Sequence, residues 1–297
     1  MGVGFQIPIK NLVSILISTA VKTVVTELVE VSFPSQGAKP LSFPLTGYSY
    51  EEIRTMHTVN EPLELALLYH LNSPVPKSYV KRVPATELRY LPEDPFLELP
   101  PAPRDNPLSE LLARRSSVRS FENQVMPLVS LAQLLDAGCG LNGLREVDNQ
   151  CYEARNSPSA GGLYPLEVFV STQAVEGLVA GLYHYEPRGH GLHWVNDAVP
   201  TDFVEAFLQQ DYIVNANTLF VFTSVFMRSM GKYGARGYRF ALLEAGHQAE
   251  NISLMAVQLG LDSLCLGGFH DMSLNAMLGI DGQRHAAIYC VAVGRKG

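Results

Sequence analysis

The rhythm of apolar and polar positions sharpens along this chain. Between residue 1 and about residue 73 the runs are hydrophobic but follow no clean period. NLVSILISTAVKTVVTELVEVSF is rich in β-branched residues and fits a strand or a helix about equally badly. YSYEEIRTMHTVNEPLELALLYHLNS has a more helical pattern, with Glu51 and Glu52 near its start and Asn72-Ser73-Pro74 as a stop. Its two histidines, His57 and His70, read as surface or capping residues. Between residues 74 and 107 the prolines and acids of LPEDPFLELPPAPRDNP exclude a continuing helix or a central strand and leave an extended linker.

Past residue 107 the periods become regular. PLSELLARR (107–115) and LVSLAQLLDAGC (128–139) predict short helices, and YPLEVFV (164–170) a strand. GLYHYEPRGHGLHWV sets two aromatic-rich runs about a Pro/Gly turn, the mark of a hairpin. TLFVFTSVF (218–226) is apolar almost throughout, which predicts a strand covered on both faces. A long helix is predicted over 239–259, closed by Gly260. LDSLCLGG and HAAIYCVAVG predict two more buried strands, with FHDMSLNAMLGI as a helix between them. Strands and helices alternate loosely, so the class is α+β or mixed α/β. The chain divides into an extension (1–73), a Pro-rich linker (74–106) and a main domain (107–297).

Composition narrows the function. Apolar residues make up 47% of the 297 positions and charged residues 17%, enough apolar material for a sizeable core. A net charge of -7 argues against nucleic acid as a partner while leaving room for a local anion pocket. Cys139, Cys151, Cys265 and Cys290 are scattered, with no CxxC pair, so a metal site is not expected and a reduced cytoplasmic chain is. The apolar run LVSILISTAV stops at Lys22, too short for a bilayer core of about 30 Å, and it lacks the flanks of a signal peptide; no membrane association is expected.

Four segments carry candidate chemistry. LARRSSVRSF puts Arg114, Arg115, Ser116, Ser117 and Arg119 after a short helix, either as a phosphate site or as a solvated helix end. RNSPSAGGLYPLEVFV offers a backbone with few side chains, against which something flat and large can lie, or simply a tight loop into a strand. SMGKYGARGYRF spaces Gly231, Gly234 and Gly237 as G-x-x-G-x-x-G, which is neither a dinucleotide fingerprint nor a P-loop. There the glycines predict an irregular loop that lets Lys232 and Tyr233 point into one cleft. A phenol ordinarily titrates at about 10 and a neighbouring ammonium favours its phenolate; a desolvated lysine is the alternative base. Either suits a poorly acidic C–H. Finally, Gly267 and Gly268 end a predicted strand, and Arg295 and Lys296 end the last one.

Taken together these segments resemble the flavin-dependent nitroreductase superfamily, and within it the SagB-type (McbC-like) azoline dehydrogenases. The general marks are RRSSVRSF, EAGHQAENISLMAVQLGL and LGGFHDMSLNAMLGI; the narrower ones are NSPSAGGLYPLEVFV, GLYHYEP and KYGARGYR. The resemblance runs from about residue 107 to 297. It implies an α+β nitroreductase-like fold: a mixed, mainly antiparallel central sheet flanked by helices, preceded by an N-terminal extension that binds partners or substrate.

The resemblance also implies roles. Arg115, Ser116, Ser117 and Arg119 would hold the FMN phosphate and the polar edge of the ring system, with Arg295 as a second phosphate ligand. Pro158, Ser159, Ala160, Gly161 and Gly162 would form the loop lying against the cofactor, and Gly267 and Gly268 the turn near its reactive edge. Lys232 and Tyr233 would be catalytic, while Arg236 and Arg239 would contact carboxylates or carbonyls. The implied activity is oxidation of thiazoline or oxazoline rings in a ribosomal peptide, by a homodimer working with a cyclodehydratase. Alternatives are a generic NAD(P)H-dependent nitroreductase or quinone reductase, an oxidase of a carrier-bound substrate, and a non-catalytic scaffold subunit.

Overall fold

The computed structural model describes residues 61–74, 97–147, 149–208 and 212–297. The ambiguous runs before residue 61, with His57, and most of the Pro-rich linker lie outside the described residues. Residues 97–106 of that linker are exposed and form no helix or strand. Pro62–Gly297 form one compact unit.

A seven-stranded sheet is the frame. Its strands are β1 (Phe121–Glu122), β4 (Leu166–Thr172), β5 (Gly181–Glu186), β6 (Gly191–Asn196), β7 (Thr218–Val225), β8 (Asp262–Leu266) and β9 (His285–Lys296). The order is β1-β9-β7-β4-β5-β6, with β8 also paired to β9, and every ladder is antiparallel. Among the described residues parallel pairing enters as single bridges, Ser117 with Ser263 and Met126 with Val175. A second sheet of two strands, β2 (Leu141–Val147) and β3 (Gln150–Arg155), stands apart. Its hairpin was not expected from the sequence.

The strand expected at 218–226 is covered on both faces, and alternation explains how. Phe220 and Phe222 of β7 pack with Val168, Val170, Val291 and Val293 on one side. Leu219 and Val221 pack with Phe169, Ala292 and Leu264 on the other. The first face carries helices α3 (Leu128–Cys139) and α5 (Ala235–Gln258). An alanine stripe, Ala241, Ala245, Ala249 and Ala256, brings α5 close to that core. Gly138 does the same for α3, since a Cβ there would lie 2.7 Å from Ile252. The other face is covered by α6 (Asp271–Leu278) and the turn at Pro200–Ala206.

Among the described residues three further helices are α1 (Glu61–Asn72), α2 (Pro107–Arg114) and α4 (Met227–Tyr233). Helix α1 packs Ala66 against a small cluster of Phe226, Met230, Tyr238 and Ala286. Its His70 is buried, not a surface residue: Nδ1 pairs with Tyr238 Oη at 3.1 Å and Nε2 with the Gly282 carbonyl at 3.1 Å. Burial holds its pKa below the ordinary histidine value, against the opposing pull of that carbonyl and of Asp271. A near-neutral imidazole with both nitrogens engaged is a satisfied core group, which a sequence reading has no means of separating from a helix-end cation.

Candidate functional site

The glycine-spaced segment folds as two helices rather than as a loop, and the reason lies in what each glycine does. Gly231 sits within α4. Gly234, at φ +56 and ψ -144, ends that helix, and its N–H donates to the Met230 carbonyl at 2.8 Å. Helix α5 then begins at Ala235, earlier than the expected start at 239. Gly237 allows α5 to lie against the backbone of α4, where a Cβ would stand 2.6 Å from the Met230 nitrogen.

Lys232 and Tyr233 therefore occupy the last turn of α4. Sequence neighbours on a helix diverge by about 100°, yet both polar heads reach one place. A Cβ on Gly161 would lie 3.0 Å from Lys232 Nζ and closer still to Tyr233 Oη. The flexible lysine stem closes the angle by folding toward the phenol, leaving Nζ 5.4 Å from the ring centroid. Gly161 itself is at φ +63, a conformation open to glycine. Arg236 and Arg239, by contrast, are exposed on α5 and form no hydrogen bond or ion pair among the described residues, unlike the contacts expected of them.

Helix α4 is tied to the sheet one turn before the lysine. Arg228 forms an ion pair with Glu167 of β4, whose other oxygen receives His184 Nε2 at 2.8 Å. Burial alone would raise the Glu167 carboxyl, but those two partners outweigh it and hold the group down to about 2.

The loop carrying Gly161 is pinned from several directions. Ser157 Oγ donates to the Gly138 carbonyl at 2.7 Å and accepts from Asn251 Nδ2 at 3.1 Å. Ser159 Oγ accepts the Tyr164 N–H at 3.0 Å. Tyr164 stands at φ +42, an unusual backbone for a bulky side chain. Its hydroxyl accepts the Arg155 N–H at 3.0 Å, and the Arg155 guanidinium lies 4.6 Å over its ring. Pro158 and Gly162 are exposed, and Ala160 is half-buried.

Beneath this loop lies Glu244 of α5, only 2% exposed. Sequence reasoning quoted it within EAGHQAENISL but gave it no role. Its Oε1 has no hydrogen-bond partner among the described residues; nor has Arg155 Nε. Burial pushes this carboxyl up to about 7, opposed by the nearby Ser159 hydroxyl and the Arg155 charge. Its place among Ala241, Ala245 and Gln248 on the inward stripe of α5 was the signal available: an acid at a core position.

A second group of expected residues gathers where β8 begins and β9 ends. Val118 N–H donates to the Ser263 carbonyl at 3.0 Å, which lays the Ser117–Arg119 backbone beside β8. Arg295 pairs across β1 with Glu122. Arg119 stands 5.9 Å over the Tyr212 ring and donates to the Ser117 carbonyl at 3.4 Å. Arg119, Ser117 and Arg295 are exposed, and neither guanidinium forms an ion pair among the described residues. Arg115 and Ser116 follow at the end of α2, where the Arg115 N–H caps Leu111 at 2.9 Å. Gly267 and Gly268 lie at the opposite end of β8, five residues away, which is about 16 Å of strand. No described hydrogen bond or ion pair joins this group to the Gly161 group.

Among the described residues no cluster of three or more His, Cys, Asp or Glu could hold a metal ion, and no helix is long and apolar enough to cross a membrane.

Comparison with known proteins follows the same outline. The family model described as Nitroreductase family matches residues 112–295. The Methanocaldococcus jannaschii nitroreductase-group protein MJ1384 is 32% identical over 190 residues, 64% of this chain and 91% of its own. The Escherichia coli microcin B17-processing protein McbC is 31% identical over 133 residues, 43% of this chain; the chain thus spans about half (49%) of McbC. Among solved structures, a chain of the E. coli microcin synthetase McbBCD complex with truncated pro-MccB17 bound superposes with a TM-score of 0.62. At 22% identity, covering 85% of this chain and 99% of that one, it shows the fold alone.

Proposed function

The chain belongs to the nitroreductase family, and from that premise we propose that it is an FMN-dependent dehydrogenase that oxidises thiazoline or oxazoline rings of a ribosomal peptide to the aromatic azoles. The similarity to McbC supports a peptide substrate and a cyclodehydratase partner. The observation that carries the reading is the convergence of Lys232 Nζ and Tyr233 Oη on the side-chain-free surface of Gly161.

The residues present fit the cofactor. The guanidiniums of Arg119 and Arg295, which form no ion pair among the described residues, suit a phosphate together with Ser117 and the nearby Arg115 and Ser116. The Pro158–Gly162 segment suits a planar ring, since a Cβ at Gly161 would fill the space that Lys232 and Tyr233 address. Gly267 and Gly268 suit its reactive edge. When bound, FMN supplies the hydride acceptor, and dioxygen takes up the two electrons afterwards.

The chain's own part is proton removal and orientation. Tyr233, with Lys232 beside it, accepts the proton from the former α-carbon of the ring. The Lys232 ammonium holds the Tyr233 phenolate that takes up the proton and becomes the neutral phenol, and the loop fixes the distance of attack. Each ring would thereby give one proton to the protein and leave a hydride for a bound cofactor to accept, and aromaticity would supply the driving force.

The reactive group is exposed on one subunit, which supports a homodimer that encloses it. Leu108 and Leu112 of α2 and Leu243 of α5 are 57%, 52% and 54% exposed. A groove of about 220 Å³, lined by Leu111, Ala137, Leu254 and Met255 among others, lies between α2, α3 and α5.

The test is a mass spectrum of a defined azoline peptide before and after incubation with the flavin-loaded protein and dioxygen. A loss of two hydrogens (about 2 Da) per ring is expected; an unchanged mass would overturn the reading. The match to MJ1384 favours a second reading, NAD(P)H-dependent reduction of nitro compounds or quinones. Rapid bleaching of the flavin by NAD(P)H in the absence of peptide would establish that one instead.

A further inference from the structure

Strand β7 runs into α4 with only Phe226 between them, so the direction in which α4 leaves the sheet decides where Lys232 and Tyr233 arrive. At that end of the sheet a polar row crosses four adjacent strands. Thr223 of β7 stands opposite Glu167 of β4, His184 of β5 opposite Phe169, and His285 of β9 opposite Val225. Residues two apart on a strand share a face, so His285, Thr223, Glu167 and His184 all stand on one side.

Each member of the row engages the next. The Thr223 hydroxyl gives its one proton to the Glu167 carbonyl at 3.1 Å, so His285 Nε2, 2.7 Å from the same oxygen, is the donor in that pair. His184 Nε2 donates to Glu167 Oε2 at 2.8 Å, and its ring lies 5.2 Å from that of Phe169. Glu167 Oε1 accepts from the Arg228 guanidinium of α4. The row thus reaches the helix through one carboxylate.

An ordinary exposed ion pair stabilises little, and this one differs in two respects. The Glu167 side chain is only 20% exposed, and its second oxygen is already fixed by a residue of another strand. Its partner also stands in the first turn of α4, with Lys232 four residues on and so on the same side of the helix. The junction itself is held by backbone: the Val225 N–H donates to the Pro165 carbonyl at 2.9 Å and the Phe226 N–H to the Arg284 carbonyl at 3.1 Å. Those bonds fix where α4 starts, whereas Arg228 fixes how it is turned. GLYHYEP has no part in the proposed chemistry, and its central residue is His184.

We propose that His184, Glu167 and Arg228 aim α4 at the Gly161 loop, as positioning residues for Lys232 and Tyr233. None of the three touches the reacting atoms. The inference rests on the reading of Lys232 and Tyr233 as the reactive pair, but its first readout does not.

That readout is amide hydrogen exchange on the full-length protein. Arg228→Gln, at a side chain 44% exposed, and Glu167→Gln, which keeps the carboxylate's shape, should each speed exchange across residues 230–234 at least tenfold. The β7 amides of residues 219–222 should keep their wild-type rates. Arg228→Lys retains a cation for Glu167 and should restore slow exchange. The double glutamine variant should exchange no faster than either single one, since the two residues act through one contact. The proposal is overturned by wild-type exchange in both glutamine variants, by a parallel rise in β7 that signals general loosening, by a lysine variant as fast as the glutamine, or by additive effects in the double variant. With a working azoline assay, Arg228→Gln should lower kcat at least tenfold at unchanged KM, and Arg228→Lys should recover most of it. A wild-type kcat in Arg228→Gln would also overturn the role. Failure of the wild-type protein in that assay, with the exchange pattern intact, would reject the azoline chemistry and leave the aiming of α4 standing.

Discussion

The hydroxyl of Tyr233 occupies the space that a side chain on Gly161 would need. The two residues are far apart in sequence, on a helix end and a glycine loop, and Lys232 Nζ stands 3.0 Å from the same point. Gly161→Ala therefore has two effects. The left-handed backbone costs a non-glycine residue roughly 1–2 kcal/mol, and the new methyl displaces both heads. Since small misplacements in an active site can cost about 100-fold, azole formation should fall by that order with the fold retained. Turnover measured beside a thermal melt checks this; wild-type turnover would show that the heads are not held against the loop.

The roles of the two heads are separable by substitution. Lys232→Ala and Tyr233→Phe should each stay yellow and folded while losing about 10²–10⁴-fold in turnover, the usual contribution of a general base. Product formation under single-turnover conditions, with the flavin spectrum recorded on the same sample, is the measurement. Full activity in both variants would remove them from catalysis.

Arg119 and Arg295 stand near the end of the β8–β9 ladder, where neither guanidinium forms an ion pair among the described residues. A charge-assisted hydrogen bond contributes about 1.5–3 kcal/mol, so Arg119→Ala and Arg295→Ala should each weaken FMN binding roughly 10–100-fold. Titration of the apoprotein with FMN, followed by flavin fluorescence at fixed ionic strength, gives the answer. Unchanged affinity in both variants would place the phosphate elsewhere.

Glu244 makes stability depend on pH in a direction opposite to most carboxylates. Its folded pKa, about 7, lies above the ordinary 4.5, so between these values the folded state binds the proton that the unfolded state has released. Stability is greatest below pH 4.5 as far as this group is concerned and declines as pH rises through 7, by roughly 3 kcal/mol at most. Arg155 and the buried thiol of Cys139 are the other titratable groups coupled to it. Urea melts of wild type and Glu244→Gln across pH 5–8 should differ in slope, the variant being flatter. Parallel pH profiles would mean the carboxyl is ionised throughout.

Periodicity was a good guide wherever burial alone chose the structure. The aromatic runs of 181–195 form the expected hairpin β5–β6, and the apolar 218–226 run forms the doubly covered β7. It failed where the chain leaves the core. LNGLREV and QCYEAR pair with each other in a sheet of their own, so no buried face imposed an alternation to read. It also failed in MRSMGKY, where Gly231 suggested a loop. There the helix is decided by Phe226 and Met230 packing under α1 and by Arg228 gripping Glu167, neither of which is local information. Motif likeness named Gly161, Lys232 and Tyr233, which the fold brings together, but not the acid beneath the loop. That Glu244 faces inward under Ser159 is a tertiary fact, hinted at only by its place on a stripe of alanines.

The ribbon of β2 and β3 stands off the main sheet, and its last pairing is Leu141 with Arg155. An ion pair at 2.7 Å between Glu153 and Arg188 ties it to the turn between β5 and β6. Its free end is thus a handle whose fixed end is Arg155, the residue that grips Tyr164. The ribbon and the Gly161 loop thus meet at one shared residue, with no element between them.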